Sequence, residues 1–197
     1  LADGAVLNEP HGQAILLAGV NLNAHLGHPF LLAGHFRQPA RFVEIVRQGA
    51  VLVTGATTGA PYWGAIGAHE ADGFVIGLSP AASEVEHVKK YRLPVDYHDV
   101  LIYTGFGYAG RNLLLTRSSD AVLIVCGRMG TLNEFTIAFE DDKPIGVLTG
   151  TGGLADDIQD LIKRMHRGPG KVVFDSDPKT LVKKIMGLVK REKVVEE

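Results

Sequence analysis

The sequence predicts an α/β fold: a Rossmann-like, doubly wound, mainly parallel sheet with helices on both faces. Three observations predict it. Short apolar runs alternate with helical segments along most of the chain. Glycine clusters sit where several runs end, around Gly55, Gly105, Gly127 and Gly150. The run Val122 to Val125 is unbroken apolar, which suits a strand covered on both faces of a parallel sheet.

Each element follows from local pattern. Ala14 to Val20 reads as a first strand, residues 21–29 as a loop, and Phe30 to Ala33 as a short apolar piece. Pro39 suits the first turn of a helix, Gly49 its end, and Phe42, Val43, Ile45 and Val46 give it an apolar face. Ala50 to Val53 is the next strand. It runs into Thr54–Pro61, where Pro61 opens a helix that Gly73 closes. Phe74 to Leu78 is a strand, Glu84 to Tyr91 a polar helix, and Val100 to Tyr103 a strand leading into the glycine-rich stretch Gly105–Gly110. Pro144 to Leu148, the loop Thr149–Gly153, the helix Leu154–Met165 and the strand Lys171–Phe174 complete the alternation. Ser176-Asp-Pro178 then caps an amphipathic helix carrying Leu181, Val182, Ile185, Leu188 and Val189. In such sheets ligands sit beyond the carboxyl ends of the strands, where these glycine loops would gather.

The centre of the chain is Gly110-Arg111-Asn112, then Arg117-Ser-Ser-Asp120, then Ala121 to Glu134. It reads as a buried strand, a tight loop and a helix start. Gly127 and Gly130 permit a sharp turn and close approach of backbone to a ligand. Thr131 is placed to cap the helix, whose first N–H groups form an anion site.

Several side chains there have two readings. Arg111 stands where a helix is expected to begin, against the dipole. Facing a bound anion would offset that; an ion pair with Asp120 is the bland alternative. Thr131-Leu-Asn-Glu134 matches a capping box, and Glu134 is also one turn from the loop, within reach of a ligand sugar. In the earlier junction Gly55, Thr57, Thr58 and Gly59 are candidate ligand contacts. The threonines serve equally well as turn and cap residues. Cys126 is either a thiol at a helix N-terminus or a small packed residue, and packing is the simpler reading.

Composition bounds the function. The chain of 197 residues suits one domain, 1–197, in which residues 1–37 form an atypical N-terminal segment. Apolar residues make up 46%, as in a globular protein. A net charge of −2 gives no reason to expect a nucleic-acid polymer as partner. A single cysteine excludes an intrachain disulfide and suits a reducing compartment. No apolar run suffices to span a bilayer, and the first residues lack a signal-peptide pattern, so a cytoplasmic location is expected. His25, His28 and His35 have no zinc-type spacing and read as solvated or core-edge residues.

Arg111-Asn112, Asp120 and Gly127-Arg-Met-Gly-Thr-Leu-Asn-Glu134 together resemble the LOG family of cytokinin-activating phosphoribohydrolases, whose loop reads PGGxGTxxE after an arginine segment. The similarity runs from about Val51 to near Gly150. The Arg–Asn pair, in place of arginine–lysine, is nearer a related branch that includes molybdenum-cofactor carrier proteins and Rossmann-like nucleotide binders. The resemblance implies hydrolysis of the N-glycosidic bond of a nucleoside 5′-monophosphate, with Arg111 and Glu134 catalytic. It implies that Asn112, Gly127, Arg128, Met129, Gly130 and Thr131 bind ligand or its phosphate. It also implies a homodimer, and neither metal nor cofactor. A non-catalytic carrier or sensor of a nucleotide or molybdopterin-type cofactor is the alternative, and a scaffold with a vestigial site the blandest reading. The lysine decarboxylase label sometimes given to that family finds no support, since none of the glycine loops holds a lysine for pyridoxal phosphate.

Two positions depart from the family pattern. Its proline is Cys126, and its second loop glycine is Arg128. If position 128 needs a positive φ, a side chain there costs roughly 1–2 kcal/mol. The guanidinium would then either serve the phosphate or fill the pocket.

Overall fold

A computed structural model describes residues 13–19 and 42–195 of the chain. The elements run β1 (Gln13–Gly19), α1 (Val43–Arg47), β2 (Ala50–Thr54), α2 (Ala60–His69), β3 (Val75–Ser79), a π-helical turn (Glu86–Lys90), β4 (Val100–Tyr103), α3 (Gly107–Arg117), β5 (Ala121–Val125), α4 (Met129–Glu140), β6 (Ile145–Leu148), α5 (Leu154–Met165), β7 (Val172–Asp175) and α6 (Pro178–Val195). All seven strands form one sheet in the order β4-β3-β2-β1-β5-β6-β7. Every neighbouring pair is parallel. This is the Rossmann-like α/β fold that the alternation predicts. The loop 21–29, the piece Phe30–Ala33, the three histidines His25, His28 and His35, and Pro39 lie outside the described residues.

Period-2 alternation divides the strands between two cores. Leu52, Leu123 and Val125 face one side with Ile45 of α1, Ala65 of α2 and Leu181, Val182 and Ile185 of α6. Val53, Val122, Ile124 and Val147 face the other with Leu115 of α3, Phe135 of α4 and Ile158 of α5. β5 is buried at every position, which explains its unbroken apolar run. Gly146 in β6 brings α6 close: a Cβ there would lie 2.7 Å from both Ile185 Cγ1 and Leu123 Cδ2. At the start of α6 the Asp177 carboxylate accepts the Thr180 N–H at 2.8 Å, the cap read from Ser176-Asp-Pro178.

Several strand ends shift by one residue from the sequence reading, and the expected helix Glu84–Tyr91 is the shorter π-helical turn; three helix boundaries matter more. α2 ends at His69, and a turn through Asp72 separates it from Gly73, whose N–H returns to the Ala68 carbonyl at 2.9 Å. α3 begins at Gly107, inside the expected glycine loop, because two glycines in a first turn do not prevent a helix that packs well further on. α4 begins at Met129, two residues ahead of the expected cap.

Ile185 is fully buried against the sheet. Ile185→Ala leaves a cavity between α6 and the sheet. It should cost about 2–5 kcal/mol, read as a lower urea midpoint with an unchanged slope.

Candidate functional site

The sheet reverses its winding at β1, which lies between β2 and β5. β1 pairs through Leu17 with Thr54, the last residue of β2, and through Gly19 with Val125, the last of β5. The loops after β2 and β5 therefore leave the sheet on either side of one crevice, where ligands of such sheets bind.

The β2 loop is fixed from below. Thr54 Oγ1 accepts the Ala56 N–H at 3.1 Å and lies 3.0 Å from His98 Nε2. His98 Nδ1 is 2.8 Å from the Asp96 carbonyl and must donate to it. Nε2 is then the acceptor, and the Thr54 hydroxyl donates. Burial pushes the His98 pKa down, which keeps the ring in this neutral tautomer. The lock holds Ala56 at φ 49° and leaves Gly55 facing α3. A Cβ at Gly55 would overlap the Arg111 guanidinium, so only glycine admits that side chain. Thr57 is buried, Thr58 is half-buried, and Gly59 turns into α2 at φ 87°.

Arg111 is 4% exposed, and its Nε and Nη1 have no hydrogen-bond partner. Burial pushes its pKa down, while Glu134 and Tyr108 push it back. A guanidinium does not deprotonate in a protein, so a buried, underbonded cation results. Arg111 lies in the second turn of α3, not at its first residue. The helix-dipole argument for a bound anion therefore does not apply. The missing hydrogen bonds take its place.

Glu134 is 7% exposed, on α4 opposite Arg111. Burial raises its carboxyl pKa to about 7, against the pull of Arg111. The two side chains attract without a direct hydrogen bond. Asn112 joins the helices. With its amide oriented to satisfy both ends, the nitrogen donates to the Tyr108 carbonyl at 3.0 Å and to Glu134 Oε1 at 3.3 Å. The oxygen then faces the Asn133 carboxamide at 3.0 Å.

The β5 loop corrects three expectations. Arg128 is extended at φ −133°, ψ −155°, and its carbonyl accepts the Leu132 N–H at 2.9 Å, so Arg128 is the helix cap position. Thr131 is thus the third helical residue and not the cap, and Thr131–Glu134 is not a capping box. Nor does Arg128 occupy a positive-φ position, so the strain considered for it is absent. The positive φ angles belong to Cys126, at 58°, and Gly127, at 104°. A proline cannot adopt the first, and the Cys126 N–H donates to Thr151 Oγ1 at 2.8 Å, which a proline could not do. Burial pushes the Cys126 thiol up, as for a packed cysteine rather than a reactive one. Thr131 is buried against Gly127, where a Cβ would lie 2.8 Å from its Cγ2. Arg128, Met129 and Gly130 are exposed at the rim.

The carboxyl-edge loops divide into filled and open ones. The β6 loop donates Gly150 N–H and Gly152 N–H to its own Asp156 carboxylate at 2.7 and 2.9 Å. The β3 loop donates Ala82 N–H to Glu86 at 2.7 Å. By contrast α2, α3 and α4 have no acidic residue in their first turns. The Gly150 loop therefore supports the site through Thr151 without being an anion cradle.

Two features escaped the sequence reading. Ser79 and His87 are fully buried and 2.7 Å apart. Because His87 Nε2 meets the Pro94 carbonyl at 2.9 Å, the pair repeats the Thr54–His98 lock beneath the β3 loop. Tyr108 precedes Arg111 by three residues, one turn earlier on the same face of α3, a spacing that would have flagged it had the helix start been placed correctly. Among the described residues no group of three His, Cys, Asp or Glu side chains is arranged to hold a metal. No described helix is long and apolar enough to cross a membrane.

Comparison with known proteins places these motifs. The model of the SLOG cluster4 family matches residues 43–182. An uncharacterized protein of Archaeoglobus fulgidus is 34% identical over 104 residues, 53% of this chain and 63% of that protein. The molybdenum cofactor binding protein of Rippkaea orientalis superposes with a TM-score of 0.68 at 26% identity, covering 93% of this chain and 98% of that one. The molybdenum cofactor carrier protein of Chlamydomonas reinhardtii does so with a TM-score of 0.66 at 23% identity, covering 91% and 99%, and shares the fold.

Glu134 makes stability depend on pH. Its folded pKa of about 7 lies above the ordinary 4.5, so the folded state binds more protons between these values. Stability should then fall as pH rises through that window, by up to about 3 kcal/mol. Glu134→Gln should flatten this slope and exceed the parent's urea midpoint at pH 8.

Proposed function

The chain belongs to the SLOG cluster4 family, and from that premise we propose that it binds a small phosphorylated nucleotide-type ligand and hydrolyses the N-glycosidic bond of nucleoside 5′-monophosphates. One observation carries the binding half: the buried Arg111 guanidinium whose Nε and Nη1 lack hydrogen-bond partners. A phosphate or ribose oxygen supplies the missing acceptors. The N-terminus of α4, with no acidic residue in its first turn, supplies N–H groups and a positive dipole end for the phosphate. Gly127, Gly130 and Thr131 let the ligand approach that backbone, and Arg128 at the rim adds a second cation.

The hydrolytic half rests on Glu134. As the C1′–N bond breaks, positive charge grows on the ribose and the electron pair leaves with the base. Water adds to C1′ and gives its proton to the Glu134 carboxylate, and the departing base takes up a proton. The products are free base and ribose 5-phosphate. A carboxyl of pKa about 7 is matched to that exchange at neutral pH. Asn112 orients it, and Gly55, Thr57, Thr58 and Gly59 form the opposite wall.

A carrier reading is favoured by the likeness to the Rippkaea orientalis molybdenum cofactor binding protein. In that reading the same cradle holds the phosphate of a cofactor and Glu134 performs no chemistry. We further propose a homodimer formed through α3, which leaves Leu113 and Leu114 39% and 40% exposed. Light scattering should return twice the chain mass, and a monomer would refute it.

The deciding assay incubates the protein with nucleoside monophosphates and follows free base and ribose 5-phosphate. Release is expected to rise with pH through about 7, as Glu134 ionises, and to be lost in Glu134→Gln. Binding without release assigns the protein to the carrier class. Gly55→Ala should leave the fold intact but remove most of the rise in Tm that AMP gives the parent, because the guanidinium is displaced.

A further inference from the structure

Tyr108 does not behave as an ordinary surface tyrosine. It is 48% exposed, yet burial raises the pKa of its phenol and Arg111 lowers it, so the hydroxyl end lies in the field of the buried guanidinium. Its ring is braced edge-to-face by Tyr91, with centroids 5.5 Å apart and planes at 82°. Its carbonyl lies 3.0 Å from the Asn112 amide that also reaches Glu134.

The wall carrying Tyr108 is stiff. The Gly105 N–H donates to the Ala81 carbonyl at 2.9 Å, and the Gly107 N–H to the Pro80 carbonyl at 3.0 Å. These bonds tie the start of α3 to the β3 loop. That loop is itself held by the Ser79–His87 pair, with the Ala81 N–H on Ser79 Oγ at 3.0 Å. A half-exposed aromatic ring is thus held one helical turn from an unpartnered, buried guanidinium. Nothing in the described protein covers the exposed part of that ring.

We propose that Tyr108, braced by Tyr91, is the specificity-determining wall for the planar heterocycle of the ligand, so that the site selects nucleotides over sugar phosphates that lack a base. This rests on the phosphorylated-ligand reading above. Arg111 and the α4 N-terminus hold the phosphoribosyl part, and the ring stacks on Tyr108. Stacking tolerates different bases because each presents a π-face, so the preference is for a ring and not for one base.

Calorimetric titration with AMP and with ribose 5-phosphate tests it. The parent should bind AMP more tightly. Tyr108→Leu should weaken AMP about tenfold and leave ribose 5-phosphate unchanged. Tyr108→Trp, in a Trp63→Phe background, should keep the preference, and its fluorescence should change with AMP but not with ribose 5-phosphate. Equal loss of both ligands in Tyr108→Leu, or no loss of either, overturns the proposal. So does a tryptophan that responds alike to both. A parent that binds the two equally overturns this inference alone, whereas a parent that binds neither overturns the ligand reading and this inference with it.

Discussion

A guanidinium kept out of water needs hydrogen bonds, and Arg111 has too few of its own. Much of the local architecture answers to that one constraint. Position 55 has no side chain because the guanidinium occupies the space a Cβ would take. Ala56 sits in the left-handed region because the Thr54 hydroxyl, held by a neutral histidine, draws its N–H back. Glu134 is near enough to feel the charge but not to neutralise it through direct contact. A salt bridge would settle the local energetics and close the site. The chain instead leaves the cation partly unsatisfied.

The same economy shows across the edge of the sheet. At several loops the chain supplies its own anion: Asp156 fills the β6 loop, Glu86 the β3 loop and Asp177 the start of α6. Where α2, α3 and α4 begin, no first-turn carboxylate is provided. The starts of α2 and α4 flank the crevice at the β1–β2 and β1–β5 boundaries, while the start of α3 is tied to the β3 loop. The distribution of aspartate and glutamate, more than the distribution of glycine, separates the filled loops from the unfilled ones.

That distinction marks what was legible in the sequence. Strands with unbroken or alternating apolar runs, such as Val122–Val125, were readable because burial on two faces demands them. The helix Leu154–Met165 was readable from its place in the alternation, and the last helix from the amphipathic spacing of Leu181, Val182, Ile185, Leu188 and Val189. The candidate cluster was legible as a set of neighbours, since Arg111, Asn112 and Glu134 do meet between α3 and α4. Their circumstances were not. Glycines at 107 and 110 suggested loop where the chain is helical, which moved Arg111 from a second turn to a first and hid Tyr108. Thr131 and Glu134 fit a capping pattern by spacing, but the cap falls three residues earlier, at Arg128, whose carbonyl already accepts the Leu132 N–H. Spacing in the chain cannot say which carbonyl begins a helix. Packing decides it.

Cys126 has a consequence for how this loop could be exchanged among relatives. Its φ of 58° and its N–H bond to Thr151 are both closed to proline. A segment carrying the proline-containing loop cannot be grafted here alone: Thr151 would keep a hydroxyl with no donor to receive, and the entry to α4 would change its angle. The β5 loop and the β6 loop form a matched set. Replacing Cys126 by proline would therefore call for a second change, at Thr151.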